Sequence, residues 1–279
     1  MIPKLAKSKP CSICGGSLHI KLPIMSQELT RAWELSQTWK SRINDREGTF
    51  CLRCGAQPRI QALAAALADT YSCNLPLNKS LNGLSDTKIA EINACGSLHR
   101  ALKNLPYLTY SEYMPKRKDI QKEDVTKLSY PNSSFDCVIH SETMEHVPDT
   151  IKAFSEIHRI LKPDGYTIFT IPIIPDGRPT KQRAKIDPQG NLIHLHPPSF
   201  HGPPWAKKED YLVFWEFGSD IIPVIESTGF SCQLSTEKDN PSICVVTAHW
   251  RQPKMLKVDS TRDFLPLRRP IWMCRGSGS

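Results

Sequence analysis

No long apolar run occurs in this sequence of 279 residues. A membrane-spanning helix needs roughly 20 consecutive apolar residues, and no segment approaches that length. Residues 1–10 include Lys4, Lys7 and Lys9 but lack the apolar core of a secretory signal peptide. No internal repeat is detectable either. We therefore expect a cytoplasmic protein without a membrane span, long enough for one large domain plus a small module.

The net charge of +8 is unevenly distributed along the chain. Residues 1–60 contain ten Lys or Arg against four Asp or Glu, residues 178–208 contain six against one, and residues 251–279 contain seven against two. The rest of the chain is therefore acidic. The basic segments, including a tail at 251–279, favour an anionic partner such as a nucleotide-linked sugar, a polysaccharide or RNA. A solvated basic surface without a partner is the alternative.

Ten cysteines in a chain this long do not indicate a secreted disulfide framework, so we expect reduced thiols with a subset that binds metal. Two Cys-x-x-Cys pairs, each followed by glycine, give four sulfurs that can complete one tetrahedral site. This pattern predicts a zinc ribbon with structural Zn²⁺, because four thiolates leave no open position. A redox dithiol is the alternative, although redox motifs occur singly. The expected ligands are Cys11, Cys14, Cys51 and Cys54.

The interval between the two cysteine pairs is longer than a minimal ribbon needs. Apolar residues at helical spacing predict one helix over 26–42 within it and a second helix over 59–71. We therefore expect a zinc-ribbon-like and helical N-terminal module covering residues 1–72.

Residues 128–171 predict a strand, a helix and a second strand. A short apolar run at 135–140 follows a cluster of turn residues. Apolar positions then recur at helical spacing over 150–161, and a β-rich run follows at 166–173. Such a unit is typical of a parallel, doubly wound sheet.

Three motifs in this unit resemble those of class I S-adenosylmethionine (SAM) dependent methyltransferases. They match the opening of that family's fourth strand, the step after it and the turn before its fifth strand; Asp164 replaces the first glycine of that turn. The resemblance implies a Rossmann-like, seven-stranded α/β domain over residues 73–250, closed by antiparallel strands at 231–235 and 243–250. The motifs are Phe135-Asp136, Glu145-His146-Val147 and Leu161-Lys162-Pro163-Asp164-Gly165.

The resemblance also implies a set of SAM-binding residues. Glu91 and the loop from Asn93 to Gly96 occupy the place of the family's acidic residue and glycine-rich turn, where only Gly96 remains of the expected glycines. Glu112 matches the acid that holds the ribose hydroxyls. The residues that match the acid and small apolar residue facing adenine are Asp124 and Val125.

Polar residues after the predicted fourth strand lie where the methyl donor should meet its acceptor, because ligands bind beyond the carboxyl ends of strands in open α/β sheets. We expect His140 and Ser141 to contact the cofactor. His146 has two interpretations, structural packing or proton transfer. The acidic residues of this segment are Glu142 and Glu145.

The long, proline-rich segment 174–210 follows the fifth strand, and we expect it to be an active-site lid. Because histidine titrates near neutral pH, its histidines are candidates for substrate contact or a general base. A metal site and a passive insertion are the alternatives. The candidate catalytic residues are His201, His194, His196 and His146.

These observations predict a SAM-dependent methyltransferase with a small-molecule or glycan acceptor. Paired cysteine knuckles ahead of such a domain resemble a subgroup found near bacterial surface-sugar genes, which favours a hydroxyl of a sugar or nucleotide-linked sugar. An RNA methyltransferase that uses the basic module and tail is one alternative. A SAM-fold binding protein without activity is another. The oligomeric state is not predicted.

Overall fold

The computed structural model describes residues 4–200 and 211–250. Within these ranges the chain forms four sheets and six α-helices, with 3-10 turns at Leu77–Lys79, Leu81–Leu84 and Met144–His146. The strands are β1 (Lys4–Lys7), β2 (Leu18–Lys21), β3 (Thr49–Cys51), β4 (Ile89–Ile92), β5 (Leu108–Glu112), β6 (Gln121–Lys122), β7 (Phe135–Ser141), β8 (Leu161–Thr170), β9 (Lys181–Gln182), β10 (Ala184–Ile186), β11 (Leu192–His194), β12 (Trp215–Glu216), β13 (Phe230–Thr236) and β14 (Cys244–Trp250). The helices are α1 (Gln27–Ala32), α2 (Gln37–Gly48), α3 (Pro58–Thr70), α4 (Ser97–Leu102), α5 (Thr150–Ile160) and α6 (Ile221–Glu226).

The central sheet has seven strands in the order β13-β14-β8-β7-β4-β5-β6. Strands β4 to β8 are parallel, whereas β14 pairs antiparallel with both β8 and β13. Every residue of β4 is buried, as expected for a parallel strand covered on both faces. The strand order and directions confirm the predicted fold class, a doubly wound, Rossmann-like α/β sheet of seven strands.

Helix α5 and strand β7 form where the sequence predicts them. The side chain of Asp149 caps α5 by accepting a hydrogen bond from the amide of Lys152, 3.0 Å away. The inward residues of the helix pack against the sheet, and burying these apolar side chains stabilises the pairing of helix and sheet. The buried apolar residues of α5 are Ala153, Phe154, Ile157 and Ile160.

The helix predicted over 26–42 is wrong, because the chain forms two helices, α1 and α2, in this region. Glu34 adopts a left-handed backbone with φ 51°, which ends the first helix. Ser36 then caps the second by accepting from the amide of Trp39 at 3.3 Å. The break lets both Trp33 and Leu35 enter one buried cluster with Ile174.

Helix α3 joins the N-terminal region to the central sheet. It contacts β8 and β14. Leu63 and Leu67 belong to a buried core that also contains Cys11 and Cys51. The three-stranded sheet β1-β2-β3 and the central sheet thus share a core through this helix. The domain boundaries at residues 72 and 250 stay predictions, and the tail at 251–279 lies outside the described residues.

The turn ahead of the predicted fifth strand takes the shape that its motif implies. Strand β8 begins at Leu161, earlier than expected, and Asp164 adopts φ 61° in the position where the family has glycine. Aspartate tolerates this left-handed region better than most residues. No helix among the described residues is both long and apolar enough to cross a membrane.

The backbone at Asp164 reverses the usual ranking of alanine and glycine. Because φ is positive, we expect Asp164→Gly to have a higher Tm than Asp164→Ala, since alanine keeps the Cβ that disfavours this region. Ser155 is an exposed position in α5. There the Ser155→Ala variant should instead have the higher Tm, because alanine stabilises a helix by about 1 kcal/mol relative to glycine. Thermal unfolding of the four variants checks this, and the same ranking at both positions would contradict it.

Candidate active site and cysteine cluster

The carboxyl ends of β4, β5 and β7 meet at one edge of the central sheet. Ile92 is in register with Ser111, and the amide of Asn93 donates to the carbonyl of Ser111 at 2.9 Å. On the other side, Ser141 at the end of β7 is in register with Thr170 at the end of β8. The edge therefore brings together three residues of the predicted cofactor site, Asn93, Glu112 and Ser141.

The loop after β4 has a left-handed residue at each end. Asn93 has φ 59° and Gly96 has φ 56°. A Cβ added at Gly96 would have only the Cγ1 of Ile60 within 4 Å, at 3.9 Å, so the backbone angle rather than lack of space favours glycine there. The side-chain amide of Asn93 joins this loop to the loops after β5 and β7. Its Oδ1 accepts from the backbone amide of Tyr113 at 3.1 Å, and its Nδ2 donates to Oγ1 of Thr143 at 3.4 Å.

Glu91 organises this loop from inside the protein. Its side chain is fully buried, and Oε1 accepts from the amide of Cys95 at 2.8 Å. Oε2 lies 2.6 Å from Nδ1 of His99, and this hydrogen bond raises the pKa of His99. Both oxygens are thus used in holding the turn and the start of α4.

The two carboxylates predicted to hold ribose and adenine differ in exposure. Glu112 is half-buried at the end of β5 and accepts a hydrogen bond from the hydroxyl of Tyr110. Asp124 is exposed and its Oδ1 accepts from both the amide and the hydroxyl of Thr126, each at 2.8 Å. Val125 is buried in the core beside them.

His140 and Ser141 point to opposite environments. The ring of His140 is fully buried and stacks on Phe169 with 4.5 Å between ring centroids. Burial lowers the pKa of His140 to about 3, so its ring is neutral. Ser141 instead reaches the edge, where its hydroxyl lies 2.5 Å from Nη1 of Arg59 and 2.7 Å from the hydroxyl of Thr170.

Two arginines from the N-terminal region reach this edge, and neither was predicted as a site residue. Arg46 in α2 has a side chain 4% exposed and binds Glu142 at 3.0 and 2.6 Å. It also pairs with Glu47, whose second oxygen accepts from Nε of Arg59 at 2.8 Å. Burial opposes its charge, but the adjacent carboxylates of Glu142 and Glu47 raise the pKa of Arg46. No motif marks these residues, because they lie far from Glu142 in sequence.

His146 is the candidate base that the structure brings to this edge. Its Nδ1 lies 3.0 Å from the carbonyl oxygen of Leu212, which only accepts, so Nδ1 carries a proton and donates it to this hydrogen bond. Burial lowers the pKa of His146, which favours the neutral ring. His194 is instead exposed on the β10–β11 hairpin, and His196 follows it. His201 lies outside the described residues.

The described part of the predicted lid, 174–200, contains three short strands and is attached to α1. Nε1 of Trp33 donates to the hydroxyl of Ser199 at 3.0 Å, and Arg178 donates to the carbonyl of Trp33 at 3.0 Å. Arg183, which is 2% exposed, binds the carbonyl of Pro197 at 2.6 Å and also pairs with Glu216. Hydrogen bonds therefore link the segment to both the end of α1 and β12.

Two surface hollows lie away from these residues. One of about 380 Å³ is lined by Tyr71, Asp136 and Lys162, near the amino end of β7. The other, of about 460 Å³, lies between α3 and the strands β13 and β14. We assign the site from the strand ends and not from cavity volume, because open α/β sheets bind ligands at the carboxyl edge.

The four predicted metal ligands form one cluster. Their sulfur atoms all lie within 4.8 Å of one another. The sulfurs of Cys11 and Cys54 are 3.6 Å apart, as are those of Cys14 and Cys51. Four sulfurs at about 2.3 Å from one zinc ion would be about 3.8 Å apart, so the spacing is compatible with zinc.

The two cysteine turns have the same hydrogen bonds. The amide of Gly15 donates to the carbonyl of Cys11 at 2.8 Å, and that of Gly55 donates to Cys51 at 2.7 Å. Both glycines have positive φ, 75° and 72°. None of the four cysteines of the cluster forms a disulfide with a described residue.

Comparison with known proteins places a methyltransferase domain in this chain. Residues 95–169 match a family model described as a methyltransferase domain. The matched residues run from the loop after β4 into β8, through the middle of the seven-stranded sheet.

Two curated relatives are similar over part of their length. The chain is 25% identical over 197 residues to a glycine/sarcosine/dimethylglycine N-methyltransferase of Actinopolyspora halophila, covering 70% of this chain and 31% of that protein. It is 29% identical over 76 residues to a sterol 24-C-methyltransferase of Gibberella zeae, covering 27% and 20%. The chain thus spans less than a third of the length of either relative.

Solved structures of methyltransferases also resemble the chain. The 1,6-didemethyltoxoflavin-N1-methyltransferase of Burkholderia thailandensis, with bound S-adenosylhomocysteine, has 12% identity and a TM-score of 0.44 over 84% of this chain and 96% of that one. A SAM-dependent methyltransferase of Mesorhizobium loti has 18% identity and a TM-score of 0.38 over 58% and 90%.

The ion pair of Arg46 with Glu142 should be important for stability. Arg46→Met removes the buried guanidinium that binds the partly buried carboxylates of Glu142 and Glu47, and we expect a loss of about 3–5 kcal/mol in urea unfolding. Adding Glu142→Gln should recover part of the loss. The control is Arg117→Met, which breaks an exposed ion pair with Asp119 and should cost less than about 1 kcal/mol. An unchanged unfolding midpoint in Arg46→Met would contradict this assignment.

Proposed function

We propose that this protein transfers a methyl group from SAM to a small-molecule acceptor. The observation that carries the proposal is the edge where the loop 93–96, Glu112 and Ser141 come together at adjacent carboxyl ends of parallel strands. The match of residues 95–169 to a methyltransferase domain supports the reaction class.

The residues at this edge fit SAM. The left-handed backbone at Asn93 and Gly96 gives an open turn whose exposed glycine lets the methionine part approach the main chain. The half-buried carboxylate of Glu112 would accept from both ribose hydroxyls. The exposed Asp124 would accept from the exocyclic amine of adenine. Glu91 would act indirectly, by holding the turn through Cys95 and His99.

We assign the acceptor to sugars or nucleotide-linked sugars, methylated on a hydroxyl. This assignment is supported by the resemblance of paired knuckles and a methyltransferase domain to the surface-sugar subgroup. The sulfonium of SAM supplies an already activated methyl group, so the protein mainly aligns the acceptor and keeps water away. A hydroxyl acceptor also needs a base, and His146 is suited because its hydrogen bond to Leu212 holds the ring at this edge. His194, His196 and His201 are the further candidates.

We also propose that the cysteine cluster binds one structural Zn²⁺. Four sulfurs from two equivalent turns provide a complete tetrahedral set, which leaves no position for a reacting ligand. The ion would fix the two turns relative to α3, since Cys11 and Cys51 belong to the same core as that helix.

The cofactor site can be tested by titration with SAM. Glu112→Ala should weaken binding at least tenfold, because two charge-assisted hydrogen bonds worth roughly 1.5–3 kcal/mol each are lost before water compensates. Asp124→Ala should weaken it less. The matched control is Asp119→Ala, an exposed acid paired with Arg117, which should leave affinity unchanged. If calorimetry gives unchanged affinity for both Glu112→Ala and Asp124→Ala, the SAM site lies elsewhere.

Metal analysis tests the cysteine cluster. We expect one zinc per chain in protein purified without chelators, and its loss in Cys51→Ser, because three thiolates do not complete the site. The central sheet should stay folded in that variant, as measured by circular dichroism. Cys232→Ser is the control, since Cys232 lies in β13 outside the cluster and its variant should keep the ion. Wild-type protein without zinc would contradict the proposal.

A further inference from the structure

The outer face of the sheet β1-β2-β3 is mostly apolar. Residues that directly oppose one another on neighbouring strands point to the same face of a sheet. The strand register, with a hydrogen bond of 2.9 Å from the amide of Leu52 to the carbonyl of Leu18, therefore defines one face of six side chains, five of them apolar. They form two cross-strand rows, Leu5-Ile20-Phe50 and Lys7-Leu18-Leu52.

The two faces of this sheet differ in burial. His19 and Cys51 point to the inner face and are 2% and 1% exposed, and Cys51 belongs to the core that includes α3. On the outer face Leu5 is 66% exposed, Leu52 is 52% exposed and Leu18 is 48% exposed. These three leucines are therefore directly accessible from solvent, on the face that α3 does not cover.

The ribbon that carries the outer face, residues 4–22 and 49–56, has no acidic residue. It contains five Lys or Arg and no Asp or Glu. Lys7 lies on the outer face itself and Arg53 lies in the turn after β3, and neither forms an ion pair with another described residue. A zinc ion with four thiolates would carry two negative charges, so the ribbon stays net positive with the ion bound.

The outer face is too small for a stable protein partner. Three strands about 4.8 Å apart, with four residues at about 3.3 Å each, cover roughly 15 by 13 Å, or about 200 Å². A stable interface buries about 800 Å² on each partner. The edge strand β1 also carries Lys7, and edge lysines oppose pairing with the same strand of a second copy, because like charges would meet.

We propose that the outer face docks this protein on an anionic lipid bilayer. A bilayer interface takes up leucine side chains, attracts lysine and arginine through its negative surface potential, and needs no matching shape. Binding of this kind grows with the apolar area buried and with the charge, so three exposed leucines and two unpaired cations give reversible attachment. The inference goes beyond the proposed methyl transfer and does not depend on it.

Co-sedimentation with vesicles tests the docking surface. The full-length protein, purified without chelators, should bind vesicles of equal parts phosphatidylglycerol and phosphatidylcholine at least tenfold more tightly than vesicles of phosphatidylcholine alone, and added salt should weaken the binding. Leu5→Thr, Leu18→Thr and Leu52→Thr together should lower the affinity for the anionic vesicles at least tenfold, because apolar area is lost. Threonine suits exposed strand positions, so Tm and zinc content should stay close to those of the wild type. Lys7→Glu should lower the affinity roughly tenfold.

The matched control is Ile151→Thr. Ile151 is 55% exposed on α5, which packs on the opposite face of the central sheet from α3, and this variant should bind vesicles as the wild type does. If the triple variant does not fold, Leu5→Thr, with an expected loss of about threefold, and Lys7→Glu decide the question, since both lie in β1 away from the cysteine turns.

Three results would overturn the proposal. The first is a wild-type protein that does not bind anionic vesicles, and the second is equal binding by the wild type and the leucine variants. The third is a wild-type dimer that the leucine substitutions convert to a monomer, because a second copy would then cover the outer face. Vesicle binding by a protein that transfers no methyl group would refute the proposed function alone.

Discussion

The ion pair between Arg46 and Glu142 joins the N-terminal region to the central sheet. Arg46 lies in α2, before the second cysteine pair, and Glu142 directly follows the central strand β7. Because the guanidinium of Arg46 is buried, losing its carboxylate partner would cost a large part of the free energy of unfolding. The pair therefore fixes α2 against the carboxyl edge of the sheet, and Arg59, Glu47 and Ser141 complete the contact. Without this ion pair, α2 would not be held beside the residues that follow β7.

Local patterns predicted the central sheet well. The spacing of buried residues in α5 and the turn residues before β7 are short-range signals, and they predicted both elements within a residue or two. The antiparallel closing strands β13 and β14 were implied instead by the family resemblance, and they form within a residue of the expected bounds. Helix α2 was not separated from α1, because no local motif marks the break at Glu34, and the buried cluster around Trp33 and Leu35 includes the distant Ile174.

The site was predicted only where a motif carries it. Asn93 and Gly96 match a known loop, and both have the left-handed backbone that the motif implies. The tie from Asn93 to Tyr113 and Thr143 shows why an amide can replace a glycine: its side chain links the loops after three strands. Arg46 and Arg59 could not be predicted, since an arginine at the edge of a site looks in sequence like any surface arginine.

The attachment of α1 to the 174–200 segment limits how this protein can be recombined. Trp33 and Ser199 are separated by most of the chain, yet a side-chain hydrogen bond joins them, and Arg178 adds a second link. The insertion between the cysteine pairs is therefore not structurally independent of the 174–200 segment. A chimera that borrows the cysteine region from a relative would also have to take that relative's segment after the fifth parallel strand, so the two insertions should diverge together in length and sequence.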